Sequence, residues 1–182
     1  MNLANKITIL RVCMIPAFLA ILWVGESIGL GSILPRILAA IIFVAAAITD
    51  AIDGHIARKR NMITTFGKFM DPLADKLLVV AALISLVAMG EIYAWVVILI
   101  VAREFVISGF RMLAATKGLV IAASFWGKLK TIIQMVMIPY LLVGLPWLFF
   151  PILGQILVYI SVALTVISAV DYITKNKHVI RE

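Results

Sequence analysis

Asp50-Ala51-Ile52-Asp53-Gly54-His55-Ile56-Ala57-Arg58 is followed, after eight residues, by Gly67-Lys68-Phe69-Met70-Asp71-Pro72-Leu73-Ala74-Asp75. Four of the nine acidic residues of a 182-residue chain that is 64% hydrophobic fall within this one stretch. At 3.6 residues per turn, Asp50, Asp53, Gly54, Ala57 and Arg58 share one helical face, and Gly67, Asp71 and Asp75 share another. Two such helices, antiparallel and joined by a short loop, bring the four carboxylates to one place. Ionised carboxylates that share a poorly solvated site repel one another and are costly to desolvate, so cations must complete it. Ligation by carboxylate oxygen alone favours hard ions, Mg²⁺ or Mn²⁺ rather than Zn²⁺. A pair of them roughly 4 Å apart suits the clamping of a diphosphate. Asp71 as a mere N-cap with Pro72 at the first helical position would leave Asp50, Asp53 and Asp75 unexplained.

The surroundings of this stretch set its environment. So apolar a chain, with strongly positive mean hydropathy, is an integral membrane protein rather than a soluble globule, and one membrane domain over residues 1–182 is expected. Apolar runs bounded by charges and turn residues predict six transmembrane helices, at about Lys6–Gly25, Pro35–Arg58, Asp71–Met89, Ile92–Ala115, Gly127–Val143 and Phe149–Tyr172. The N-terminal run lacks a small-x-small cleavage site and is read as retained. Six spans put both termini on one side. Fifteen of the sixteen Lys and Arg residues then lie at inside ends and loops, with Arg36 the exception, so the termini and the acidic stretch face the cytoplasm. The net charge of +7 is thereby accounted for by topology, and no nucleic-acid partner is expected. The single cysteine, Cys13, cannot form an intramolecular disulfide.

Charge-free lengths add a second inference. Thirteen residues separate Arg36 from Asp50, fourteen separate Lys76 from Glu91, and eleven separate Glu91 from Arg103, all shorter than a bilayer requires. Spans two to four must therefore carry charge to some depth, turned toward a polar cavity. Glu104, Ser108 and Arg111 stand on one face near the inside end of span four, and Lys128 and Lys130 open span five. Arg111, Lys128 and Lys130 beside the carboxylates suit a bound molecule that itself bears phosphate. Arg103 and Glu104 read as a structural pair.

The pattern D-x2-D-G-x2-A-R-x8-G-x3-D-x3-D, present at every fixed position, resembles the signature of the CDP-alcohol phosphatidyltransferase family. Ala102 to Arg111 and Gly127 to Thr131 resemble the branch that transfers a phosphatidyl group from CDP-diacylglycerol to sn-glycerol 3-phosphate. The resemblance implies a homodimeric enzyme of the inner (plasma) membrane, with two Mg²⁺ or Mn²⁺ ions on Asp50, Asp53, Asp71 and Asp75. It makes Asp75 the general base as well. It assigns Asn5, Thr8, Arg11, Gly54, Ala57, Arg58 and Gly67 to the CDP moiety, and it is compatible with Ser108, Arg111, Lys128 and Lys130 holding the acceptor phosphate. Two alternatives stand beside it: another acceptor, such as serine, inositol phosphate or phosphatidylglycerol, and a divalent-cation transporter. A transporter requires acids spread along a route, whereas these cluster at one side.

Overall fold

The computed structural model describes the backbone of residues 3–27, 33–60, 65–116, 121, 124–145 and 149–176. Side chains are described for residues 12–25, 27, 33–49, 76–116, 121, 124–145 and 149–176. Among the described residues the chain forms six α-helices and no strand: α1 (Leu3–Ser27), α2 (Ile33–Arg60), α3 (Thr65–Ala88), α4 (Ala94–Thr116), α5 (Phe125–Val143) and α6 (Phe150–Asn176). Each expected span overlaps one of these helices. One boundary differs in an informative way: α3 begins at Thr65, six positions before Asp71. Residues 65–70, broken by Gly67 and Lys68, fall outside a count of uninterrupted apolar length, yet they are helical, so Asp71 is not an N-cap and Gly67, Asp71 and Asp75 lie on one continuous helix.

The helices close into a ring in the order α1, α2, α5, α6, α4, α3, with further contact from α3 to α2 and α5. Phe18, Phe43, Leu83, Ile100, Met137 and Leu142 fill its interior. The outer surface is apolar as well, with Ile41, Ile98, Phe105, Met112, Ile152 and Tyr159 all exposed. A soluble protein scatters exposed apolar residues singly, whereas here they cover the helices. By length and composition α6 is able to cross a membrane, and the apolar stretches Val12–Gly25, Ile33–Thr49 and Lys76–Ala88 are shorter.

Two glycines set the turns at one end of the ring. Gly90, at φ 75°, ends α3 in a Schellman motif: its N–H bonds the Val87 carbonyl at 3.0 Å, and the Glu91 N–H bonds the Leu86 carbonyl at 2.9 Å. Gly144, at φ 54°, ends α5 by donating to the Tyr140 carbonyl at 3.4 Å. The next two carbonyls of α5 are taken by Arg36 at the start of α2, whose Nε reaches Leu142 O at 2.9 Å and whose Nη2 reaches Leu141 O at 3.1 Å. The same guanidinium pairs with Glu91. One cation thus satisfies the orphan carbonyls and negative dipole of a helix end and ties three connections together.

A Cβ at Gly144 would run into that guanidinium and would also occupy a left-handed conformation. Gly144→Ala is therefore expected to destabilise the fold by at least about 1 kcal/mol, read as a lower thermal midpoint in detergent. Gly109→Ala is the matched control: it lies inside α4 with open space around it, and its midpoint is expected to hold or rise.

Candidate active site

Toward the opposite end of the ring, the middle of α3, the later half of α4, the start of α5 and Tyr172 near the end of α6 line a cavity of about 830 Å³. Its deeper wall is apolar, with Val79, Leu83, Ile100 and Ile138, while among the described residues five cations, Lys76, Arg103, Arg111, Lys128 and Lys130, share its lining with one carboxylate, Glu104. Cations gathered on one wall attract anions.

α5 begins sharply at the cavity rim because Ser124 caps it: the side-chain oxygen accepts from Gly127 N at 3.2 Å and the carbonyl accepts from Lys128 N at 3.1 Å. That start fixes the two lysines. Lys130 turns inward, 2% exposed, and pairs with Glu104 across to α4. Glu104 also receives Arg103 Nη1 at 2.9 Å, and Arg103 Nε reaches Ser168 Oγ on α6 at 3.2 Å. Ser108 Oγ donates to the Glu104 carbonyl at 2.7 Å and accepts from Lys76. Glu104 therefore joins α4 to α5, Arg103 joins α4 to α6, and Lys76 joins α3 to α4.

Arg111 and Lys128 are different. Both line the cavity and are exposed, and among the described residues neither meets a carboxylate. Arg111 lies over the Tyr172 ring, 5.9 Å from its centroid. Two cations without acidic partners in a walled space are suited to binding phosphate.

All four residues assigned from sequence to an acceptor phosphate, Ser108, Arg111, Lys128 and Lys130, thus line one cavity. Lys130 and Ser108 are already engaged, Lys130 with the Glu104 carboxylate and Ser108 with the Glu104 carbonyl and Lys76. Asp50, Asp53, Gly54, Ala57 and Arg58 lie in the last part of α2, Gly67, Asp71 and Asp75 in the first part of α3, and Asn5, Thr8 and Arg11 near the start of α1, at the same end of the ring as the cavity. Their side chains lie outside the described residues. Asp75 directly precedes Lys76, whose side chain is in the cavity wall, so the acidic stretch adjoins the basic space along the α3 backbone. Among the described residues no group of three metal-binding side chains occurs. The four aspartates, all hard oxygen donors on two helices in contact, are a donor set that fits divalent cations such as Mg²⁺ or Mn²⁺.

Residue-by-residue reading missed a polar line on α6. Ser161, Thr165, Ser168 and Tyr172 recur at offsets 0, 4, 7 and 11 and are all buried. Gln134 donates to Ser161 at 3.2 Å and Arg103 to Ser168 at 3.2 Å. The signal was present as one hydroxyl-bearing face in a helix that carries no charge before Asp171.

Comparison with known proteins bears on the family of the chain. The family model for CDP-alcohol phosphatidyltransferases matches residues 1–167. The CDP-diacylglycerol–glycerol-3-phosphate 3-phosphatidyltransferase of Bacillus subtilis is 44% identical, with 96% of this chain and 95% of that one covered. Proteins of the same name from Rickettsia typhi, 38% identical over 94% of both chains, and Haemophilus influenzae, 36% identical over 97% and 94%, are also similar over nearly their whole length.

Proposed function

The chain belongs to the CDP-alcohol phosphatidyltransferase family, and from that premise we infer that its reaction is the transfer of a phosphatidyl group from CDP-diacylglycerol to sn-glycerol 3-phosphate. The products are phosphatidylglycerophosphate and CMP. The single observation that carries the choice of acceptor is the cavity lined by Arg111 and Lys128, which among the described residues meet no carboxylate. A neutral alcohol has no use for them, and a phosphate does.

In this proposal the primary hydroxyl of glycerol 3-phosphate attacks the phosphorus that bears the diacylglycerol. The bond from that phosphorus to the CMP oxygen breaks, CMP leaves, and Asp75 takes the hydroxyl proton. Asp50, Asp53, Asp71 and Asp75 would hold the divalent ions. When bound, such ions neutralise diphosphate charge and stabilise a leaving phosphate. Asn5, Thr8, Arg11, Gly54, Ala57, Arg58 and Gly67 would take the cytidine diphosphate portion, and Lys128 and Arg111 the acceptor phosphate. Glu104 and Arg103 hold Lys130 and the α4–α6 contact in place.

The same proposal has all six helices crossing the cell membrane, with both termini and the site on the cytoplasmic side. The apolar outer surface and the one-sided distribution of Lys and Arg support it. Lipid would then solvate the acyl chains while the headgroup reaches the basic end. The homodimer is carried over from the family resemblance.

Arg111→Ala tests the acceptor site. The KM for glycerol 3-phosphate is expected to rise at least about tenfold, with little change in the KM for CDP-diacylglycerol. Equal changes in both would remove Arg111 from the acceptor site.

A further inference from the structure

Tyr172 ends the polar line of α6 and is one of the largest fully enclosed side chains, 2% exposed. It lies in the cavity wall, its ring edge-to-face with Phe110 at 6.3 Å and 89°, and the Arg111 guanidinium lies over it at 5.9 Å. Yet among the described residues its hydroxyl meets neither donor nor acceptor. Asp171 Oδ2 is likewise unpartnered, but that carboxylate is already engaged through Oδ1 with Lys175 at 2.6 Å. A buried phenol ordinarily finds a hydrogen-bond partner, because leaving one unmade is costly. The ring is held by Phe110 and Arg111, and the cavity it lines is also lined by Arg111 and Lys128, which among the described residues meet no carboxylate.

We propose that Tyr172 is a specificity residue for the phosphorylated acceptor: its hydroxyl donates to a phosphate oxygen of the molecule bound in the cavity, and its ring seats Arg111 against the same phosphate. The inference rests on the cavity being the acceptor site. A phenol is suited to this task because it donates to phosphate at neutral pH without adding charge. The ring and the guanidinium form one unit, in which the aromatic face orients the cation that neutralises the ligand.

The test is Tyr172→Phe beside Arg111→Ala, assayed with both substrates varied and followed by thermal unfolding in detergent with and without glycerol 3-phosphate. Tyr172→Phe keeps the ring and removes only the unpartnered hydroxyl. Without acceptor its midpoint is expected to equal or exceed that of the parent protein. Its KM for glycerol 3-phosphate is expected to rise about tenfold, its KM for CDP-diacylglycerol to stay unchanged, and the stabilisation given by glycerol 3-phosphate to shrink. An unchanged KM for glycerol 3-phosphate in Tyr172→Phe, with a raised one in Arg111→Ala, would overturn the role of the hydroxyl and leave the acceptor site standing. Unchanged values in both variants would overturn the acceptor site itself, and Tyr172 with it. A matching rise in both substrates' KM would assign the hydroxyl to the CDP-diacylglycerol diphosphate or to the fold, and would also overturn the proposal.

Discussion

Asp75→Asn is expected to lower phosphatidyl transfer by at least about 10³-fold while leaving the thermal midpoint of the detergent-solubilised protein unchanged. The size of the effect follows from the two tasks proposed for one carboxylate, holding a cation and taking the proton of the attacking hydroxyl. Asparagine has the same shape but neither the charge nor the basicity. The fold is expected to survive because Asp75 lies within α3, a helix that continues to Ala88 and is anchored deeper down by Leu78, Ala82, Leu83 and Leu86 in the core. Divalent-ion binding, measured by titrating Mn²⁺ into the variant, is expected to weaken in parallel with activity. Near-normal turnover would remove Asp75 from the chemistry.

The second large effect concerns stability. Glu104→Ala would leave Lys130 and Arg103, with side chains 3% and 9% exposed, facing each other without their carboxylate. Removing one member of a buried ion pair costs about 3–5 kcal/mol, because the surviving charge stays desolvated. Glu104→Ala is accordingly expected to show a sharply lower thermal midpoint. Lys130→Met placed on top of Glu104→Ala removes one of the stranded charges and fills its volume with an apolar chain, so part of the lost stability is expected to return. Activity is not expected to return with it if Lys130 also serves the acceptor. A midpoint that Glu104→Ala leaves untouched would show that the triad contributes nothing to the fold.

Much of this architecture could be read from local signals. Gly90 and Gly144 mark turns because the backbone there takes a left-handed conformation, and a run of apolar residues as long as α6 has few alternatives to a helix. The short charge-free intervals implied that charges such as Lys76 and Arg103 turn inward, and both line the cavity. Contacts between distant parts of the chain were not legible. Lys130 finds Glu104 26 positions away, and Arg36 finds Glu91 55 positions away. No helical period relates such partners, since they meet only when the ring closes. The early start of α3 escaped notice because apolar length marks where lipid begins, not where hydrogen bonding begins. In the sequence Tyr172 marks only the end of the sixth expected span. Only its burial and its unpartnered hydroxyl set it apart.

The most direct test of the account is CMP release from CDP-diacylglycerol by the purified protein, with sn-glycerol 3-phosphate, glycerol, serine, inositol phosphate or phosphatidylglycerol as acceptor, with Mg²⁺ or Mn²⁺ and then with a chelator. The account predicts rapid release with glycerol 3-phosphate, little with the other acceptors, and none once the divalent ions are removed. Equal rates with glycerol, or full activity in the chelator, would contradict it.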